Sequence, residues 1–160
     1  MKLDQRSDAL LREVYPVFGL QVERVIIAML ERFNKQLRVT AGFRSFQEQA
    51  SIFAIGRSKP GKIVSNAKPG LSKHNYGLAV DVCFRGMDPF LERDTVKSIK
   101  GLHPLWHELE KLCEEFDLKS GLSFGDAPHI EWPRPRRAEE LHDDYIFNGL
   151  TIEQIWKKYG

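Results

Sequence analysis

Ser72-Lys-His-Asn-Tyr-Gly-Leu-Ala-Val-Asp-Val82 places two residues of metal-ligand type, His74 and Asp81, on a turn and on the strand that follows it. Gly77 lets the backbone turn with a positive φ or approach a neighbour closely. Residues 78–83 then alternate as a strand, with Leu78, Val80 and Val82 on one face. Asp81 falls on the other face, beside Ala79 and Cys83. A carboxylate between two valines must be paired or ligated, because burying it bare is costly or drives its pKa up until it is neutral.

Working outward, the matching half of such a site is Asp126-Ala-Pro-His-Ile-Glu-Trp132. His129 and Glu131 are two apart, so on an extended segment they share a face. His74, Asp81 and His129 give zinc three protein ligands and leave the fourth tetrahedral position for water, the arrangement of a catalytic rather than a structural site. One zinc per chain is expected. Such a site needs a nearby carboxylate as general base, and Asp126 and Glu131 both qualify.

The chain's 160 residues, 42% of them hydrophobic, suit one compact domain with its own core and leave no room for a second. A formal charge of +2 is too mild for a dedicated nucleic-acid binder, and is compatible with an anionic polymer as substrate. Cys83 and Cys113 sit in apolar surroundings and read as free buried thiols, pointing to folding in a reducing compartment. The N-terminus carries no apolar run of signal-peptide length. No stretch approaches the roughly 18 apolar residues of a membrane span. A monomer without membrane or nucleic-acid partners is expected, made in the cytoplasm and exported by other means if its substrate lies outside.

Residues 4–15 read as a short helix stopped by Pro16. A longer one follows, with Val22, Val25, Ile26, Met29, Leu30 and Phe33 forming a helical stripe. Val39 and Phe43 belong to a strand ending near Gly42, and Ser45-Phe-Gln-Glu48 caps a helix running through Phe53. Arg44 stands at that joint, where it can reach across a cleft or simply pair with Glu48 at the surface. Residues 56–71, rich in Gly, Pro, Lys and Arg, read as a long surface loop on the rim of the site, whose basic charges would favour an acidic peptide. Residues 85–100 are polar and irregular, with a short helix from Asp94. Residues 105–116 form a helix with Leu105, Trp106, Leu109, Leu112 and Cys113 inward, while His103 and His107 are expected to be solvated or capping. Residues 121–125 are expected to return as a strand. Residues 138–160 read as two short helices packed on the domain, the second started by Thr151-Ile-Glu-Gln154.

Ser-x-His-x-x-Gly-x-Ala-x-Asp followed by Asp-x-x-His resembles the zinc peptidases of the D-Ala-D-Ala carboxypeptidase and L-alanyl-D-glutamate endopeptidase group, which includes many phage endolysins. Ala41-Gly-Phe-Arg-Ser45 with Gln49 and Val64-Ser-Asn-Ala67 extend the likeness over residues 38–132. The resemblance implies that Arg44 holds substrate and neutralises its oxygen, that Ser72 hydrogen-bonds substrate, and that Asp126, at the offset where the group carries its acidic residue, is the base. Glu131 then stands as an alternative base or as a partner orienting a ligand. The usual segment before the His is longer, and here it is compressed to Phe124-Gly-Asp126.

The expectation is therefore an α+β domain over residues 1–160, with a small, mainly antiparallel sheet carrying the zinc site and helices packed against it. The expected function is hydrolysis of the L-alanyl-D-glutamate bond of peptidoglycan stem peptides, as by an endolysin reaching the wall after holin-type release. A D-Ala-D-Ala carboxypeptidase of wall metabolism is the alternative within the enzymes. A non-catalytic zinc-containing binding module, as in the similar hedgehog signalling domains, is the alternative outside them.

Overall fold

The structure, a computed structural model, describes residues 3–86 and 103–160. The short helix expected from Asp94 lies outside the described residues.

The chain opens with α1 (Gln5–Leu11), whose N-cap Asp4 accepts from the Ser7 backbone N–H. Ser7 is buried, and its Oγ accepts from Val39 N at 2.9 Å, tying the helix to the sheet. The helix ends at Leu11, before the proline expected to stop it, and Pro16 instead begins the next, α2 (Pro16–Phe33). Proline suits the first helical position because the N–H it lacks would have no partner there. Of the expected stripe, Val22, Val25, Ile26 and Met29 are buried and Leu30 and Phe33 half-buried; Phe18 joins the buried set, each buried side chain contributing about 1.5–3 kcal/mol relative to exposure. Asn34 then ends α2 in the left-handed conformation, its N–H reaching Leu30 O.

Among the described residues four strands form one antiparallel sheet in the order β1-β2-β4-β3: β1 (Leu37–Ala41), β2 (Ala79–Phe84), β3 (Lys119–Ser120) and β4 (His129–Glu131). In β2 the expected alternation holds, with Val80 and Val82 buried in the core against α2 and α4 (Pro104–Glu115), and Asp81 on the opposite face. Pairing of β2 with β4 sets Asp81 directly opposite His129 and Ala79 opposite Glu131. This register joins the two sequence motifs. It is specified by the core, because a slip of one residue would turn Val80 and Ile130 outward and Asp81 inward.

Residues 121–125 differ from the expectation. The strand is confined to Lys119–Ser120, and Gly121–Phe124 is a turn of 3₁₀ helix. Leu122 and Phe124 alternate as a strand would, but the Ser120 side chain caps Leu122 N and Gly125 takes a positive φ, so the chain folds back. Asp126 N bonds Gly121 O at 2.9 Å, and a Cβ on Gly121 would come within 2.2 Å of Asp126 O. Only glycine fits this reversal.

α3 (Phe46–Ala54) starts at Ser45, whose side chain accepts from Glu48 N. In α4 the expected inward residues Leu105, Trp106, Leu109, Leu112 and Cys113 are buried, and His103 caps the helix by accepting from Leu105 N. Both cysteines are free thiols. The last two helices, α5 (Ala138–Ile146) and α6 (Ile152–Tyr159), place Leu141 and Ile155 in the core. Thr151 and Gln154 form a reciprocal capping box at the start of α6. Trp156 Nε1 donates to Tyr76 O at 2.6 Å, and Trp132 Nε1 to Tyr159 O at 2.8 Å. These bonds fasten α6 beneath the turn that carries His74.

Candidate metal centre

His74 lies on a short 3₁₀ turn, Lys73–Tyr76, that Ser72 caps through its side chain and Gly77 ends with φ 65°. A side chain at Gly77 would meet Trp156 at 3.0 Å, so both the φ and the space require glycine. The ring is buried, and its Nδ1 is 2.8 Å from Gly42 O. A carbonyl only accepts, so Nδ1 carries a proton, and Nε2 is the nitrogen that faces Asp81.

Asp81 Oδ1 stands 3.4 Å from His74 Nε2 and 3.4 Å from His129 Nδ1. Burial pushes its carboxyl up, but hydrogen bonds from the two imidazoles and their charge outweigh it and hold the group well below the usual carboxylate range. One donor atom from each of His74, Asp81 and His129 lies within 4.8 Å of the others. Ligand bonds of about 2.0–2.2 Å in a tetrahedron put ligand atoms roughly 3.3–3.6 Å apart, so the 3.4 Å edges fit a zinc-sized ion. Two neutral imidazoles and one carboxylate are also a donor set that suits zinc.

The two acidic candidates sit on different sides of His129. Glu131 is buried, with Oε2 2.9 Å from His129 Nε2, the nitrogen turned away from Asp81, and Oε1 3.0 Å from Lys73 Nζ. Asp126 is half-exposed, with Oδ2 4.0 Å from Nδ1, the nitrogen that faces Asp81. His129 is pushed down by burial and raised more strongly by Asp81 and Glu131, reaching about 9. Glu131 is pushed up by burial and held below its ordinary value by His129 and Lys73.

Arg44 does not stand out in solvent beside Glu48. Its Nη1 donates to Gln49 Oε1 at 3.0 Å, and Nη2 is 3.9 Å from Asp81 Oδ2. Gln49 is fully buried and donates onward to Ser65 Oγ and Ala67 O, anchoring the rim loop to α3. Asn75 Nδ2 holds the Arg44 carbonyl at 2.9 Å. Ser72 Oγ accepts from His74 N at 3.3 Å. Arg44, Ser72, His74, Asp81, Asp126 and His129 border one cleft of about 1340 Å³, whose walls are the loop around Ile63 and Val64 on one side and Phe124, Asp126 and Arg136 on the other. The sequence reading gave Lys73 no role. A lysine in a turn is ordinarily solvated, and nothing in the motif signals that this one is buried.

Residues 21–127 match the VanY family, described as D-alanyl-D-alanine carboxypeptidase. The peptidoglycan L-alanyl-D-glutamate endopeptidase CwlK of Bacillus subtilis (strain 168) is 36% identical over 100 residues, which are 58% of this chain and 58% of that protein. The chain thus matches less than two-thirds of that relative's length. Among solved structures, the LdcB LD-carboxypeptidase aligns with a TM-score of 0.52 at 22% identity, over 91% of this chain and 76% of that one. The vancomycin resistance D,D-pentapeptidase VanY of a VanB-type cassette, solved with Zn(II), gives 0.52 at 16% identity, over 86% and 80%. At these identities the structural likeness is one of fold, but the family match covers most of the sequence and both residues of its first motif. The chain belongs to the VanY family of metallopeptidases.

Proposed function

We propose that the chain is a zinc-dependent peptidoglycan peptidase that hydrolyses the L-alanyl-D-glutamate bond of stem peptides. The observation that carries the reading is the pair of 3.4 Å edges from Asp81 to His74 and His129, with all three donor atoms within 4.8 Å of one another, in an open cleft. The bond assignment is supported by the endopeptidase relative at 36% identity. The family description favours a second reading, a carboxypeptidase releasing terminal D-alanine.

His74, Asp81 and His129 would hold the metal, one per chain. Zinc bound there supplies Lewis acidity, lowering the pKa of water and polarising a carbonyl. Asp126, at the cleft wall and on the Nδ1 side of His129, takes the proton of the attacking water and returns it to the departing amine as the C–N bond breaks. Arg44, held by Gln49, faces the oxygen that gains negative charge. Ser72 lines the cleft and hydrogen-bonds the substrate backbone. Glu131 has one oxygen on Lys73 and the other behind His129, which suits orienting that ring rather than proton transfer at the reacting carbonyl. An acid in the cleft beside the ligands argues against a purely binding role. Residues 1–160 act as one peptidase domain, with 138–160 as its helical extension, and the activity suits an endolysin that meets the wall after holin-type release.

Digestion of purified peptidoglycan, with products identified by mass spectrometry, tests the assignment. Stem peptides with new N-terminal glutamate, leaving L-alanine on the muramic acid, are expected. Free D-alanine would select the carboxypeptidase reading, and new reducing sugar ends would overturn both.

A further inference from the structure

Lys73 and Glu131 form an ion pair whose side chains are 5% and 11% exposed, whereas Arg32 and Glu115 at the surface are 49% and 46% exposed. Burying two charges costs desolvation that their attraction often only matches, and an apolar pair can serve the core as well. Stability alone is thus a poor reason for this pair. Its place in the fold supplies another. Lys73 Nζ is clamped between Glu131 Oε1 at 3.0 Å and Trp132 O at 2.7 Å, and the other oxygen of the same carboxylate meets His129 Nε2 at 2.9 Å. The two histidines of the metal centre are therefore supported differently: His74 by the neutral carbonyl of Gly42, His129 by a buried carboxylate with its own counter-charge.

Resting on the metal-centre reading above, we infer that Lys73 is a positioning residue for the metal centre: by pinning Glu131 behind His129 it fixes the ring with Nε2–H toward Glu131 and Nδ1 toward Asp81. A carboxylate accepting from the far nitrogen of a ligand histidine sets its tautomer, restrains its rotation and raises its donor strength. Lys73 adjoins His74 in sequence, so one short turn supplies a ligand and the residue that steadies a second ligand from across the sheet. Without the ammonium, Glu131 loses the contact that holds its carboxylate in place, and His129 loses the restraint that this carboxylate provides.

Zinc affinity, measured by chelator competition on the full chain, is compared for wild type, Lys73→Met, Glu131→Gln and the double variant, with thermal unfolding of the metal-free proteins alongside. The double variant carries no buried charge at this pair and remains testable if Lys73→Met fails to fold. Each folded variant should bind zinc about 10- to 100-fold more weakly, the usual effect of removing such support. The double variant should be no worse than Glu131→Gln, because the two residues act as a unit. The visible spectrum of the cobalt(II)-loaded protein should change in the same variants. Wild-type zinc affinity with an unchanged cobalt spectrum in the folded double variant would overturn the inference, even if its melting temperature fell. A wild-type chain that binds no zinc would instead remove the metal-centre reading, and this inference with it.

Discussion

His74 and Asp81 come from a limb whose polar groups are tied down at nearly every step: Ser72 caps the turn, Gly42 holds the imidazole, Trp156 pins Tyr76 O, and β2 is paired on both sides. His129 and Asp126 come from a limb of another kind. It reaches the site through a 3₁₀ turn and a reversal at Gly121, and leaves Phe124 52% exposed and Asp126 half-exposed on the cleft wall. The contrast separates two tasks. Metal ligands gain from being preset, since the cost of ordering them is met during folding, whereas a group that exchanges protons with water must touch solvent.

The largest effect should come from cutting either limb at its ligand. His74→Ala and His129→Ala are each expected to lose stoichiometric zinc by elemental analysis and to abolish hydrolysis. Full zinc occupancy with unchanged affinity in either variant would show that its limb does not reach the metal. Next come the two carboxylates, which sharpen the contrast within the second limb. Asp126→Ala should keep its zinc and lose about 10²-fold or more in rate, while Glu131→Ala should lose metal affinity together with activity. A Glu131→Ala protein that is inactive with full zinc, beside an active Asp126→Ala, would exchange the two roles.

That His74, Asp81 and His129 come together was legible in the sequence and the placing of Asp126 and Glu131 around His129 was not, for a geometric reason. Alternation in Leu78-Ala-Val-Asp-Val82 fixes the face of Asp81, and two-residue spacing puts His129 and Glu131 on one side of their strand. Both statements depend only on strand geometry. Which nitrogen of His129 each acid meets depends on the Asp81–His129 register and on the reversal at Gly121, which are long-range or local in ways that spacing does not encode. Apolar alternation at Leu122 and Phe124 imitated a strand because the turn chemistry lies in Ser120 and Gly125 rather than in the alternating residues. Lys73 escaped notice because a sequence gives its type but not its burial. The alternative for Arg44, a surface pair with Glu48, gave way to Gln49, whose amide serves both the guanidinium and the rim loop.

A smaller effect should appear with pH. In the metal-free chain His129 is raised to about 9 by Asp81 and Glu131 against the opposing effect of burial, so near neutrality it carries a proton that metal must displace. Zinc affinity should therefore rise roughly tenfold per pH unit from this group alone as pH approaches 9, and gain nothing further from it above. A flat affinity profile between pH 6.5 and 9 would mean that Asp81 and Glu131 do not share the ring as described. The smallest effect is expected at the exposed wall. Phe124, its ring centroid 5.7 Å from that of His129, contributes little to the core. Phe124→Ala should change stability by no more than about 0.5 kcal/mol while raising KM a few-fold. A large loss of stability would make this limb as rigid as the first.

The most direct test of the central claim is to strip the wild-type protein of metal with a chelator and follow new amino termini released from purified peptidoglycan as zinc is titrated back. Release should be absent from the stripped protein and should saturate at one equivalent of zinc per chain. Undiminished release without metal, or zinc bound at one equivalent with no new amino termini, would contradict the account.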